Sequence, residues 1–313
     1  MSILSRPCFY DEAKAFEHVE SVLWPEGPVC PKCGSVGKPY KLQGSRTKPS
    51  KKNPNGIERH GLYKCRDCKG QFTVRMGTIF EESHIPMHKW LQAIHLMCSS
   101  KKGISAHQLH RTLEVTYKTA WFLAHRLRLA MQTSPSSPMG GMGKIVEVDE
   151  TFIGMLEGQE KAKGGYAHKN TVLTLVERGG EARSFHIEGA RYHPVNTVVA
   201  DQISPESAVM TDDAMHYRKI GKEFALHGSV AHTKGEYVRG DIHTNTVEGY
   251  YSIFKRGMKG IYQHCSEKHL HRYLAEFDFR YSNRVALGVN DEVRAGRALT
   301  GFAGKRLTYR SAG

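Results

Sequence analysis

The 313-residue chain carries 45 Lys and Arg against 31 Asp and Glu, a formal net charge of +14, and 39% of its residues are hydrophobic. That length and composition describe a globular chain of two or three domains and exclude a disordered or fibrous protein, while seven cysteines are too few for a disulfide scaffold. No apolar run reaches about eighteen residues and acids interrupt the N-terminal MSILSRPCFYDEAKAF, so neither a membrane span nor a secretory leader is expected, and the expected location is cytoplasmic.

The charge is unevenly placed. Residues 1–144 hold 22 Lys or Arg against 10 acids, whereas 145–313 hold 23 against 21. A basic binding half therefore precedes a nearly neutral one, and concentration in one half favours a polyanionic partner over a merely solvated basic face.

Within residues 1–86, Cys30-Pro-Lys-Cys33 and Cys65-Arg-Asp-Cys68 are two knuckles whose spacing lets a tight turn aim both sulfurs at one cation. Four thiolates make a closed tetrahedral site, the structural arrangement for Zn²⁺, so the segment is expected to be a zinc ribbon with one structural zinc. The basic stretch GSRTKPSKKNPNG between the knuckles reads as an exposed loop, and Tyr63, Phe72 and Val74 as the packing of a small sheet. A dithiol redox site is the alternative for one Cys-x-x-Cys, and the second pair argues against it. Cys8, Cys98 and Cys265 lack partners at ligand spacing.

Met87, Trp90, Leu91, Ile94, Met97 and Cys98 recur at helical spacing and predict a helix over 87–99. Ser105-Ala-His-Gln108 gives a capping-box start to a second helix with Leu109 and Leu113 inward. After the turn at Glu114-Val115, Thr116 caps a third helix with Ala120, Leu123, Leu127 and Met131 inward. Lys118, His125, Arg126 and Arg128 lie mostly off that stripe, so residues 87–132 are expected to form a helix-turn-helix-like module with Lys118, Arg126 and Arg128 on DNA. A helical bundle with solvated cations is the alternative, and the adjoining ribbon and charge excess favour DNA. Pro, Ser and Gly in 133–143 predict a flexible linker.

From 144 to 313 the pattern changes. KIVEVDETFIG reads as a strand, TVLTLVERGG and EARSFHIEG as a hairpin around Gly179-Gly180, HPVNTVVADQI as a helix and SAVMTDD as a fourth strand, which predicts an α/β domain with a mixed sheet. Asp149 would lie on the first strand, Asp212 at the end of the fourth and Glu248 on a later helix. The last two are separated by 35 residues, and Lys255 follows Glu248 by seven, two turns on one helix face. Three carboxylates meeting at one sheet edge, with a cation beside them, fit a site that holds two divalent cations for phosphoryl transfer. Glu147 shares strand parity with Asp149 and is expected to support that edge. Against this, Asn245-Thr-Val-Glu248 also fits a capping box, Asp213 competes with Asp212, Lys255 fits a solvated helix face, and His243 and His264 have weak claims among 18 histidines.

These blocks resemble one family, the DDE transposases of bacterial insertion sequences that have a zinc-ribbon N-terminus and a Mutator-related core. The resemblance is carried by Cys30-Pro-Lys-Cys33, Phe72-Thr-Val-Arg-Met-Gly-Thr-Ile-Phe80, Val146-Glu-Val-Asp149-Glu-Thr-Phe-Ile-Gly154 and Thr211-Asp212. Its strongest block is His243-Thr-Asn245-Thr-Val-Glu248-Gly with Phe254-Lys255-Arg-Gly257, and Lys268–Tyr281 looks like the family's C-terminal helix. The resemblance implies a ribonuclease-H-like core over 144–313 and an acidic triad at Asp149, Asp212 and Glu248. It also implies two Mg²⁺ or Mn²⁺ ions, double-stranded DNA of element ends and target as partner, and cleavage followed by strand transfer. In some relatives an Asn takes the third role, and Asn245 stands at that position. Paired ends imply a homodimer or larger assembly, associated with the nucleoid when on DNA. Rival readings are a nuclease without strand transfer and a DNA-binding regulator with a silent core.

Overall fold

A computed structural model describes residues 2–51, 53–133 and 137–305, and its contacts divide the chain into two compact units. The first contains the described residues of 1–99, 106–130 and 291–313, the second those of 100–105 and 131–290.

The first unit opens with α1 (Glu12–Leu23), capped by the Asp11 side chain accepting the Lys14 N–H at 2.9 Å. The strands β1 (Tyr40–Lys41), β2 (Tyr63–Lys64) and β3 (Gln71–Phe72) form a three-stranded antiparallel sheet in that order. Phe72 and Val74 are buried, the Tyr63 and Phe72 rings stack at 5.9 Å, and Trp24 meets both edge-on, so the ribbon's small core is aromatic. The loop between the knuckles is exposed and folds back through the Arg46–Glu58 bridge. Next, α2 (Met87–Ser99) has the bounds its periodicity predicts, and Glu12 accepts the Met87 and His88 N–H groups at 2.8 and 3.2 Å to cap it. The helices α3 (Ala106–Leu113) and α4 (Tyr117–Met131) flank the expected turn, where Glu114 has φ +50° and Thr116 Oγ1 accepts the Thr119 N–H at 3.2 Å.

The second unit is built on the strands β4 (Ile145–Ile153), β5 (Asn170–Glu177), β6 (Ala182–Ile187), β7 (Ala208–Asp212) and β8 (Leu226–Val230), ordered β6-β5-β4-β7-β8. The pairs β6-β5 and β5-β4 are antiparallel, β4-β7 and β7-β8 parallel, giving the expected mixed sheet. Side chains alternate across it. Val146, Val148, Leu173 and Leu175 pack against α5 (Tyr192–Gln202) and α6 (Met215–Ile220) on one face. Ile153, Val172 and Val176 pack against α7 (Asn245–Gly257) and α8 (Leu270–Ser282) on the other. A hairpin, β9 (Val238–Arg239) with β10 (Ile242–His243), leads into α7.

Two boundaries differ from the sequence reading. Ser134, Pro135 and Ser136 of the expected linker lie outside the described residues, but Met139 is buried and bridges to Ile203, its N–H donating to the Gln202 carbonyl at 2.7 Å. An apolar anchor and paired backbone make that stretch part of the second unit rather than a linker. The final helix, α9 (Asp291–Thr300), packs against α1 and α2, with Arg294 donating to the Cys98 carbonyl at 2.8 Å, so it leaves the 144–313 segment and joins the first unit.

Candidate functional site

Cys30, Cys33, Cys65 and Cys68 bring their sulfurs within 4.8 Å of one another, with 3.7 Å across both Cys30–Cys68 and Cys33–Cys65. A tetrahedron with Zn–S bonds of about 2.3 Å has edges of about 3.8 Å, so the donor set fits zinc as it stands. The Cys68 backbone N–H, then that of Asp67 and the neighbouring thiols, hold the Cys65 thiol down to about 7 against desolvation, while against the Ser35 backbone N–H desolvation and the other three thiols push Cys33 up to about 12. Cys8, Cys98 and Cys265 lie outside this cluster.

The expected DNA-contacting face of α4 is corrected in part. Lys118 is exposed, but Arg128 and His125 are buried, at 3% and 0% exposure. Arg126 turns its guanidinium onto the Ile79 and Glu81 carbonyls at 2.8 and 3.1 Å. The cause is the breadth of the buried surface: Ala124 and Ala130 are buried beside the expected stripe, and small residues let neighbouring chain close over the arginines. A guanidinium spent on carbonyl acceptors is a structural cap.

In the second unit β4 and β7 pair in parallel from Ile145–Ala208 to Glu147–Met210, so Asp149 and Asp212 each stand two residues beyond the last pair, near enough for the Asp212 charge to act on Asp149. Burial first, then the charges of Glu150, Asp212 and Glu248, push the Asp149 carboxyl up to about 8. Desolvation also raises Asp212, whose Oδ1 accepts the Ala214 N–H at 3.0 Å. Among the described residues these carboxylates are not drawn together as closely as the four sulfurs.

Helix α7 is fastened across β4 at two points. Glu147 is fully buried and accepts the Thr246 and Val247 N–H groups at 2.7 and 2.9 Å, the Thr246 hydroxyl at 2.7 Å and Arg178 Nε at 2.6 Å. Four residues beyond Val247, the Tyr251 hydroxyl donates to the Asp149 carbonyl at 2.6 Å. Between these anchors Glu248 is exposed, accepting the Thr244 hydroxyl at 3.1 Å and standing 3.6 Å from His232 Nε2. The capping-box reading of Glu248 therefore fails: the N-cap is Thr244, and Glu147 satisfies the helix's first amides. Asn245 is exposed with no side-chain hydrogen bond among the described residues, and Lys255 lies over the Tyr251 ring at 5.7 Å.

Three neighbours escape the sequence reading. Glu150 points to the opposite sheet face from Asp149 and meets His216 at 2.9 Å, His232 touches Glu248, and Arg178 joins Glu147 to His243. None carries a spacing signal, since each partner is remote in the chain. His243 belongs to the Glu147 network at 3.2 Å, and His264 is exposed.

Residues 140–282 match the ISXO2-like transposase domain, and residues 10–71 match the transposase zinc-ribbon domain. The chain is 26% identical over 294 residues, 87% of its own length and 91% of the relative's, to an uncharacterized protein in transposable element ISH50 of Halobacterium salinarum. The two domain matches take in most of the chain in the order its folded units require. The two domain matches and this relative together support an IS1595-family insertion-sequence transposase with an N-terminal zinc ribbon and an ISXO2-like transposase domain.

Proposed function

We propose that the second unit cleaves and joins DNA by phosphoryl transfer, with Asp149, Asp212 and Glu248 as its metal-binding carboxylates. The observation that carries this reading is that the charges of Asp212, two residues past the last β4–β7 pair, and of Glu248, on a helix fastened by Glu147, both act on the buried Asp149. The donor set is all hard oxygen, which fits Mg²⁺ or Mn²⁺. Two such ions, when bound, supply Lewis-acid stabilisation of the attacking and leaving oxygens of a phosphodiester.

The protein's own groups do the positioning. Tyr251 and Glu147 fix the height of α7 over Asp149, His232 and Thr244 orient the Glu248 carboxylate, and Lys255 offers its ammonium to a phosphate oxygen. Water first attacks the phosphodiester at the element end and the 3′-oxygen leaves. The freed 3′-hydroxyl then attacks a target phosphodiester in the same site. The ribbon and Lys118 are assigned to element-end recognition, and paired ends require two or more copies of the chain. No helix of the described residues is long and apolar enough to cross a membrane. The work is placed in the cytoplasm, at the nucleoid when on DNA. Incubation of the protein with a labelled element-end duplex, a target plasmid and Mg²⁺ or Mn²⁺ tests the reading. Cleavage with joining supports it, and cleavage without joining reduces it to a nuclease.

A further inference from the structure

Beyond Glu248, α7 carries its cations along one line. Steps of four, seven and eleven residues return to within about 40° of the starting direction, and those positions are Ser252, Lys255 and Lys259. Lys259 lies in the π-helical turn Met258–Tyr262 that continues the helix. At about 1.5 Å per residue, Lys255 is about 10 Å and Lys259 about 16 Å along the axis from Glu248.

A second segment meets this line. Residues 100–105 belong to the second unit, and two glycines let them lie against the end of α7. A Cβ on Gly257 would stand 2.5 Å from the Lys102 carbonyl, and one on Gly103, at φ +100°, 2.0 Å from the Tyr262 hydroxyl. Lys101, Lys102, Arg256 and Lys259 are all exposed. Elsewhere on the unit some surface cations pair with carboxylates, Lys144 with Glu177 and Arg239 with Glu236. Among the described residues these four and Lys255 find none: Arg256 bonds Ser252, and Lys255 covers the Tyr251 ring. Unneutralised cations held together by backbone contact call for an anionic partner.

We propose that Lys101, Lys102, Lys255, Arg256 and Lys259 form a phosphate track that leads the DNA strand away from the cleaved bond along α7. The proposal rests on the phosphoryl-transfer reading of the same site. With one phosphate per about 3.4 Å of duplex axis on each strand, Lys255 reaches a phosphate about three nucleotides from the cut and Lys259 one about five away. These contacts read charge and spacing, not sequence.

The test compares the wild-type chain with a Lys101→Ala/Lys102→Ala/Lys259→Ala variant on an element-end duplex, with neutral methylphosphonate linkages placed singly along the strand flanking the cut. The slope of log affinity against log salt is expected to fall by about 0.9 for each phosphate no longer neutralised, with binding about tenfold weaker per phosphate near 0.1 M salt. A neutral linkage about five nucleotides from the cut, opposite Lys259, should weaken the wild type and leave the variant unchanged, whereas one about three nucleotides away, opposite the retained Lys255, should weaken both. Lys222→Ala, on an exposed cation elsewhere in the unit, controls for general charge. Wild-type cleavage with an unchanged slope in the triple variant, or an equal effect of the five-nucleotide linkage in both proteins, overturns the track alone. A wild type that never cleaves the duplex overturns the phosphoryl-transfer reading and the track with it.

Discussion

The Glu147 carboxylate accepts the Val247 N–H at 2.9 Å, joining residues a hundred positions apart and seating the start of α7 on the middle of β4. A buried anion at a helix N-terminus is favoured by the helix dipole, and Arg178 shares its charge. Glu147→Ala would leave that guanidinium and two amides without their acceptor, at a cost of about 3–5 kcal/mol by the usual effect of breaking a buried pair. Glu147→Gln keeps the volume and should cost about 1–3 kcal/mol. The Gln variant is expected to stay folded by circular dichroism while its metal-dependent cleavage falls at least tenfold. Undiminished cleavage would show that the height of α7 does not depend on this anchor.

Zinc is expected at about one ion per chain, bound by the four thiolates. Because the ribbon's buried core is little more than Phe72, Cys30 and Cys65 with neighbouring aromatics, Cys65→Ser should lose both the metal and the order of the ribbon. Metal analysis with near-ultraviolet circular dichroism checks both. Full zinc content in that variant would remove Cys65 from the ligand set.

Arg126 and Lys118 should part company. Arg126→Ala strips two carbonyls of their donor and is expected to lower stability by about 1–3 kcal/mol in a denaturant titration, with DNA affinity unchanged under folding conditions. Lys118→Ala, on an exposed residue, should leave stability within about 0.5 kcal/mol and reduce the salt slope of DNA binding. A large DNA-binding defect in stable Arg126→Ala would restore the sequence-based assignment.

Much of the layout is legible in the sequence because its signals are local. The knuckles, the bounds of α2, the β5–β6 hairpin and the placing of Asp149, Asp212 and Glu248 on their elements follow from spacing and periodicity. The strand β8 escapes such a reading because Leu-His-Gly-Ser-Val lacks an apolar alternation. Gly228 is required there because a Cβ would meet Met210 Sδ at 2.7 Å. The burial of Arg126 and Arg128, the return of α9 to the first unit and the capping of α7 by Glu147 depend on partners far along the chain, which periodicity does not register.

Asp278 gives the second unit a pH dependence of its own. Burial pushes its carboxyl up to about 7, although Tyr250, the Ser184 hydroxyl and the Ser184 N–H all donate to it. A folded-state value above the ordinary carboxylate range means that its contribution is fully present below about pH 4 and is lost as pH rises through about 7. Asp278→Asn mimics the neutral acid and removes the titration. Thermal unfolding at pH 5 and pH 8 should show the wild type losing more stability than the variant over that interval, and equal losses would refute the assignment.

Asp149→Asn and Asp212→Asn keep side-chain size but remove an anionic ligand, so fold and DNA binding should survive while catalysis disappears. Because Glu248 caps no amide, Glu248→Gln isolates its role as a cation ligand, while Asn245→Ala tests the rival third residue one turn earlier. The decisive measurement is strand cleavage and joining on a labelled element-end duplex with Mg²⁺ or Mn²⁺, each variant checked for folding by circular dichroism. Loss of both activities in Asp149→Asn, Asp212→Asn and Glu248→Gln, with activity retained in Asn245→Ala, is the predicted result. Normal cleavage by folded Asp149→Asn would contradict the assignment of this site.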